Sequence, residues 1–486
     1  MMESKKSAAL FFFMITLFRL VYINFVPLMP QEAYYWNYAK HLSLSYFDHP
    51  PLTAWTIAFF TAIGGDHLFF IRLGSVLFSL GLLMLLYRMV LELFQSRKTA
   101  FMVILAISCT VLFSIGATII TPDVPLLFFW TLFVYSLVRL RSTSLARYWY
   151  IAGIALGLAL LSKYSAALIV PGTLLYILLS TNQRHWLKTV HPYLAILLAF
   201  TVFLPVIIWN SQNNWASFMF QSSGRFSQMN RFRLDYFGQL VGSQTGMLTP
   251  YLLGFTIGGW IYAGKKALLE DERFSLLFWI SSITYLVFPL FSFCSLVKPN
   301  WMAPAYVTSI IAAVAWVEAG ETKTALWYRK HFKCGLILGF LIVVFMHLLP
   351  LFPILPLRRG DIWTGWPELA QRIEQDLLEM EANTFVFGHE YKIPSEIAFY
   401  TGGNLQTHCG EIIGERGLQY TYWTDIDELI GRDAIFVTSD AQRYRETDRI
   451  LEYFEAIEQE EPLVIEHHGE VFRTFYIYRC YDYKGI

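Results

Sequence analysis

Mostly apolar stretches of about 18 residues or more recur through the first 350 positions of the chain. As a helix, each is long enough to cross a hydrocarbon layer about 30 Å thick. A backbone inside such a layer must satisfy its own hydrogen bonds, so these stretches are confined to helices. Of 486 residues, 55% are hydrophobic and only 15% are charged, well below the roughly 25% of a soluble domain. The 37 basic and 37 acidic residues cancel, which argues against nucleic-acid binding through a dominant basic field. Five cysteines are too few for a disulfide scaffold. The chain reads as an α-helical polytopic membrane protein.

The apolar pattern predicts about eleven spans, near 8–27, 67–93, 100–120, 123–140, 148–163, 165–180, 190–210, 248–264, 274–296, 300–317 and 334–353. The first has a basic start and no small-residue cleavage site, so it is expected to stay as an uncleaved span. Alternate junctions carry Lys5/Lys6, Arg97/Lys98, Arg139/Arg141/Arg147, Arg184/Lys188, Lys265/Lys266/Arg273 and Lys323/Arg329/Lys330/Lys333. The opposite junctions are poor in basic residues, apart from a longer one with Arg225, Arg231 and Arg233. The positive-inside rule then puts the N-terminus in the cytoplasm. An odd number of spans leaves everything after about residue 357 on the far side. The expected organisation is a membrane domain over 1–356 and a hydrophilic domain over 357–486.

Two far-side loops are long, near 28–66 and 211–247, and loops of that size are usually functional. The first carries Tyr34, Tyr35, Trp36 and Tyr38, which suits an interfacial helix at the headgroup level. Asp48-His49-Pro50-Pro51 follows as an extended break, because a residue before proline avoids the α region. In the tail, ELAQRIEQDLLEM reads as amphipathic helix, while NTFVFGHE, RDAIFVTSD, PLVIEHHGE and FRTFYIYRCYDY read as strands. This predicts an α/β domain. Cys409 and Cys480 lie in it, and the sequence leaves open whether they pair or stay free.

Ionisable groups at membrane depth are costly, so each is a candidate for function. Glu32 follows the first span, with an ordinary loop acid as its plain alternative. Asp123 sits in the turn TPDVP, where a helix N-cap is the alternative. Lys163 interrupts the apolar run LSKYSA, and snorkelling to the interface would also account for it. Lys298 closes the ninth span in KPNWMAPAY. By the charge-derived topology Glu32, His49, Asp123, Lys163 and Lys298 all fall on one face of the membrane. Such a set suits transfer of a sugar from a lipid phosphate. Cations receive the leaving phosphate, and a carboxylate takes the proton of the attacking hydroxyl. No glycine-rich phosphate loop for a nucleotide sugar is evident.

With these residues in view, the chain resembles the bacterial polyprenyl-phosphate-sugar-dependent glycosyltransferases of the protein-mannosyltransferase and lipid A aminoarabinose-transferase superfamily. That group shares the C-type membrane glycosyltransferase fold. QEAYYW stands where the family has its acidic first-loop motif, and FDHPPL where relatives have Lys-Pro-Pro or His-Pro-Pro. TPDVPLLFFW matches a second acidic turn, LSKYSA the lysine turn, and KPNWMAPAY the opening of a late span. In the tail, TGWPELAQRI and HEYKIPSEIAFYTGGN look like blocks of bacterial members.

The resemblance implies Glu32 as catalytic base; because Gln31 stands where many relatives have Asp, either Glu32 serves alone or Asp123 shares the task. It implies His49, Lys163 and Lys298 on the donor phosphate. His389, Glu390 and Tyr391 would cover acceptor or donor, with ordinary strand-and-turn structure as their alternative. The implied reaction inverts the anomeric carbon. It fixes no cofactor and leaves a divalent metal open: Asp48 and His49 have the ligand chemistry, but two adjacent residues make a weak site.

The expected partners are therefore a polyprenyl-phosphate-linked sugar, a lipid A, lipopolysaccharide-core or other glycolipid acceptor, and the bilayer itself. The expected location is the bacterial inner membrane, with the long loops and the tail periplasmic. A protein acceptor with the same donor is the second enzymatic reading. A lipid-linked-sugar translocase is the reading from another class. The one-sided charges and the absence of an internal repeat weigh against the translocase.

Overall fold

The computed structural model describes residues 5–222, 232–319, 323–352, 362–439, 448–467 and 469–486. Arg225 and Arg231 of the second long loop, and the expected domain boundary near 357, lie outside them. The chain divides into two compact units that interleave along the sequence. One comprises Met1–Ile23, His49–Thr53 and Arg72–His347, and the other Asn24–Asp48, Ala54–Ile71 and Leu348–Ile486. A single cut near 356 therefore does not describe the chain, because the first long loop belongs with the tail.

The first unit is a helical bundle. Among the described residues, six helices of the chain are long and apolar enough to span a membrane: Leu68–Phe94, Asp123–Thr143, His191–Gln212, Glu272–Ser292, Pro299–Glu318 and Leu326–Leu348. Leu52–Gly64, Arg147–Ser162 and Tyr164–Leu179 are apolar but shorter. Lys5–Tyr22 and Pro250–Ala267 are helices that carry Lys5, Lys6 and Arg19, or Lys265 and Lys266. The expected span at 100–120 is not one helix. It divides into Arg97–Ser108 and Val111–Ile115. The Thr110 hydroxyl donates to the Ile107 carbonyl (2.7 Å) and accepts the Phe113 N–H (3.4 Å). That local pairing competes with the helical ladder and stops it there.

The bundle core is packed around Trp130 and Tyr306, both essentially inaccessible. Two glycines set how near its helices come. A Cβ on Gly259 would meet the Ala313 backbone nitrogen at 2.3 Å, and one on Gly153 the Ala195 carbonyl at 2.4 Å. Small residues at such crossings let backbones touch where lipid provides no hydrophobic drive.

The second unit is an α/β structure built on a six-stranded mixed sheet. Its strands are β1 (Phe385–Gly388), β2 (Thr407–His408), β3 (Ala434–Thr438), β4 (Phe454–Gln459), β5 (Leu463–His467) and β6 (Glu470–Tyr483). The order is β2-β1-β3-β6-β4, with β5 pairing the first half of β6. β1 runs parallel to β2 and β3, while β6 is antiparallel to β3, β4 and β5. β1 and β3 are buried throughout, as apolar strands covered on both faces must be. The expected amphipathic helix forms over Trp366–Leu378 and lays Leu369 and Ile373 on the sheet core. Cys409 and Cys480 are both buried free thiols, so they do not pair.

The first-loop helix forms over Pro30–Lys40, but its aromatics do not lie on headgroups. Tyr34, Tyr35, Trp36 and Tyr38 are all buried within this unit. Tyr34 lies 4.5 Å from the Tyr391 ring, Trp36 5.3 Å from Phe399, and Tyr38 5.6 Å from Trp423. The same amphipathic composition that suits an interface suits a protein core, and the tail supplies one.

Candidate functional site

Two clusters of chemistry-bearing side chains form, one in each unit. In the helical unit, Asp123 is the first residue of Asp123–Thr143. A carboxylate there is favoured by the partial positive charge of the helix start. Its side chain does not cap its own helix. Lys163 ends the helix Arg147–Ser162 in an extended conformation, just before a short 3-10 turn at Tyr164–Leu168. That break releases the lysine toward Asp123, and its Nζ donates to Asp123 Oδ1 at 2.8 Å. The two side chains are only 13% and 14% exposed, so the pair is poorly screened by water and salt. The amide Nδ2 of Asn300 donates to the other oxygen, Asp123 Oδ2. Asp123 is thus held on both oxygens.

Snorkelling therefore does not account for Lys163. Asn300 belongs to the KPNW segment, two residues after Lys298, which is itself exposed. The motif was visible in the sequence, but its lysine drew attention and its amide did not. Only the turn Pro299–Met302 brings residue 300 to Asp123. His49, in the same unit by its place in the chain, is half-buried and precedes Pro50.

In the α/β unit, Glu32 is fully buried and its Oε2 accepts the Met29 N–H at 3.2 Å. It closes the N-terminus of its own helix, as an acid three positions after a cap residue does. Asp48 takes a different arrangement. Its Oδ1 accepts from the Tyr34 hydroxyl at 3.1 Å and from the Tyr38 hydroxyl as well. Tyr34 and Tyr38 are four positions apart, so they share one helix face. Burial, reinforced by the Asp48 charge, pushes both phenols well above their usual range. They are neutral and serve as donors.

The tail fixes this group from its other side. The Gln419 N–H donates to the Tyr34 oxygen (3.1 Å), and the Phe47 N–H donates to Gln419 Oε1 (2.7 Å). The Asn37 amide donates to the Tyr420 hydroxyl (3.2 Å), which is also paired with Ser395 (2.9 Å). Of the expected cover residues, Tyr391 stands half-buried beside Tyr34. Burial is the main reason its phenol is raised, with Asp48 adding to it. Glu390 pairs with Lys392 at 3.1 Å. His389 continues β1, its N–H donating to the Val437 carbonyl at 3.3 Å. Gln419 and Tyr420 carried no sequence signal, because they act across more than 380 positions.

Among the described residues, no three His, Cys, Asp or Glu side chains gather to hold a metal ion. Asp48 is engaged by phenols, and Asp48 with His49 makes at most two ligands. Among the described residues, then, no set fits a resident metal.

Glu411 braces the segment that carries Gln419. Its Oε1 accepts the Cys409 N–H (3.0 Å) and the Thr424 hydroxyl (2.9 Å). Its Oε2 is buried without a hydrogen-bond partner among the described residues. A Cβ on Gly417 would come within 2.0 Å of that oxygen. Burial raises the carboxyl above its ordinary 4.5, against the lowering effect of its hydrogen bonds. A raised folded-state value means that proton binding favours the fold. That stability is complete below the unfolded value and is lost as pH climbs through the folded value. Glu411→Gln is therefore expected to unfold at a higher temperature than the parent at pH 8, with the gap closing toward pH 4. A gap independent of pH would refute the assignment.

Comparison with known proteins gives a consistent result. The family model described as dolichyl-phosphate-mannose-protein mannosyltransferase matches residues 48–209, a stretch holding Asp48, His49, Asp123 and Lys163. The lipid A galacturonosyltransferase RgtD of Rhizobium johnstonii is 27% identical over 321 residues, covering 64% of this chain and 65% of that protein. An uncharacterised protein of Aquifex aeolicus is 23% identical over 61% of this chain and 60% of its own length. The chain thus spans a little under two thirds of these curated relatives. Among solved structures, ArnT from Cupriavidus metallidurans bound to undecaprenyl phosphate superposes with a TM-score of 0.67. That match covers 98% of both chains at 14% identity. The archaeal oligosaccharyltransferase AglB from Archaeoglobus fulgidus matches with a TM-score of 0.53 at 8% identity, over 90% of this chain and 70% of its own. At such identities the likeness is one of fold.

Proposed function

This chain belongs to the membrane glycosyltransferase superfamily of protein mannosyltransferases and lipid A aminoarabinose transferases, and from that premise we propose that it transfers a sugar from a polyprenyl phosphate to lipid A or a related glycolipid. The reaction inverts the anomeric carbon and takes place on the extracytoplasmic side of a bacterial inner membrane. The alternation of basic junctions supports that orientation, with the N-terminus cytoplasmic. The observation that carries the reading is the Lys163–Asp123–Asn300 cluster: a poorly exposed ammonium, held in place by a carboxylate that is itself fixed on both oxygens. A cation so held can meet a departing phosphate without reorganising. His49 and Lys298 would add charge to the same end of the donor.

On this reading a carboxylate receives the acceptor's proton: family resemblance implies Glu32 of the first loop, alone or with Asp123 sharing the task. Family resemblance also implies His389, Glu390 and Tyr391 as cover for acceptor or donor. The relative acting on lipid A favours a glycolipid acceptor. A protein acceptor is the second reading, favoured by the description of the matching family model.

Mass spectrometry of lipid A and the glycolipid pool, from cells with and without the chain, tests the proposal. A glycolipid lighter by one sugar residue is expected when the chain is absent. An unchanged glycolipid pool with a changed glycoprotein would move the acceptor to protein. No change in either would end the reading.

A further inference from the structure

Asp123 is held by Lys163 and Asn300, and the second long loop reaches the immediate chain neighbour of each. On the outgoing side of that loop Asn210 is fully buried. Its Oδ1 accepts the Phe218 N–H at 3.2 Å, and its backbone carbonyl accepts the Trp215 N–H at 2.7 Å. Trp215 is left-handed, at φ +57°. This turn sets the short helix Ala216–Gln221, and the wholly inaccessible Ser217 hydroxyl pairs with the Tyr164 hydroxyl at 2.7 Å. Tyr164 is the residue after Lys163, in the break that releases the lysine.

On the returning side, the helix Leu234–Leu248 is fastened to the end of Glu272–Ser292. The Arg233 N–H donates to the Phe293 carbonyl at 2.7 Å, and Phe237 stacks on the Phe293 ring at 4.7 Å. Further along this helix Gln244 is almost wholly buried. Its Oε1 accepts the Tyr306 hydroxyl (2.8 Å), and its Nε2 donates to the Pro299 carbonyl (3.1 Å). A carbonyl only accepts, so the amide cannot turn over without losing that bond. Pro299 opens the four-residue turn that carries Asn300. A 3-10 turn this short is weakly held by its own ladder. Gln244 anchors it from outside, one residue before the amide that grips Asp123.

We propose that the second long loop is the frame of the leaving-phosphate site, with Gln244 as the positioning residue that sets Asn300 and Ser217 as the one that sets the turn of Lys163. The assignment rests on the transferase reading above and deepens it. All of these residues belong to the helical unit. Neither Gln244 nor Ser217 is asked to meet the donor. Misplacing a preorganised group by about 1 Å can cost about a hundredfold in rate, so residues that fix the ammonium's surroundings are felt in the kinetics.

The test uses the full-length chain in lipid nanodiscs, with a polyprenyl-phosphate sugar as donor and lipid A purified from cells lacking the chain as acceptor. Gln244→Met keeps the side-chain length and loses both polar ends. It is expected to lower donor kcat/KM about tenfold, with donor KM raised and acceptor KM within about twofold of the parent. A smaller folded fraction alone would lower the apparent kcat and leave both KM values in place. Asn300→Ala should lose at least as much, and Gln244→Met added to it should cost less than about twofold more, because Gln244 acts through Asn300. Gln239→Ala, exposed on the same helix, should behave as the parent. If Gln244→Met does not fold, Ser217→Ala, which removes one oxygen, carries the test, with donor KM expected to rise about threefold or more. Parental donor kinetics in a folded Gln244→Met or Ser217→Ala chain would overturn the proposal, as would a double variant whose loss is the product of the two single losses. In each of those outcomes the parent still transfers sugar. A parent that transfers none would remove the transferase reading itself, and this frame with it.

Discussion

Lys163→Met is expected to lower the rate of sugar transfer by at least about a hundredfold, the scale of losing one preorganised charge at a developing anion. Its ammonium is held by Asp123 at 2.8 Å in a site where both side chains are almost out of solvent. Stability should fall as well, because Asp123 is left charged with only the Asn300 amide. Losing one partner of a fully buried pair costs about 3–5 kcal/mol, and the residual exposure of 13% and 14% reduces that. The loss should appear chiefly in donor KM and kcat, with acceptor KM unchanged. Lys163→Arg keeps the charge but spreads it over a planar fork, so partial recovery is expected. A double substitution with Asp123→Asn should cost less stability than the two single effects added together, since the pair is lost once. Transfer within tenfold of the parent in Lys163→Met, at normal expression, would remove this residue from the phosphate.

The second large effect concerns the fold of the α/β unit. Trp36→Ala is expected to destabilise that unit by about 3–5 kcal/mol, the range for truncating a buried tryptophan. The side chain is 1% exposed, and its ring meets Phe399 edge-on at 5.3 Å. Its Nε1 donates to Asp66 at 2.7 Å. Gly403, at φ +73°, comes so close that a Cβ there would lie 3.2 Å from the indole. The tryptophan therefore joins three separated segments, 30–40, 54–71 and 392–403, in one packed contact. Limited proteolysis should release the 24–71 region from the tail in the variant but not in the parent. Trp36→Phe keeps most of the contact and loses the N–H donor, at a cost of about 1 kcal/mol. A cleavage pattern identical in parent and Trp36→Ala would show that the first loop does not depend on the tail.

Much of this protein could be read from its residues in order. The apolar runs specified helices, because a backbone in hydrocarbon has no other way to pair its polar groups. The short apolar runs at 385–388 and 434–438 and the aromatic-rich stretch 470–483 specified strands from local sequence as well. β4 at Phe454–Gln459 escaped notice, since its pattern of a single buried residue followed by mostly exposed ones is that of an edge. The break at Ser108–Thr110 escaped as well, because a hydroxyl's bond to its own turn leaves hydropathy unchanged.

Composition and local order were enough for a membrane-spanning helical chain with a hydrophilic α/β tail, and for a short set of acids and lysines to consider. They could not say how those groups are held. Lys163 and Asp123 are separated by 40 positions, Asn300 and Asp123 by 177, and Gln419 and Tyr34 by 385. No periodicity reaches that far. A carboxylate's role depends on which donors face it, and those donors arrive only when distant segments pack. The difference between a capping Glu32, a clamped Asp123 and a phenol-held Asp48 is therefore a product of folding, although all three are simply acids in the linear chain.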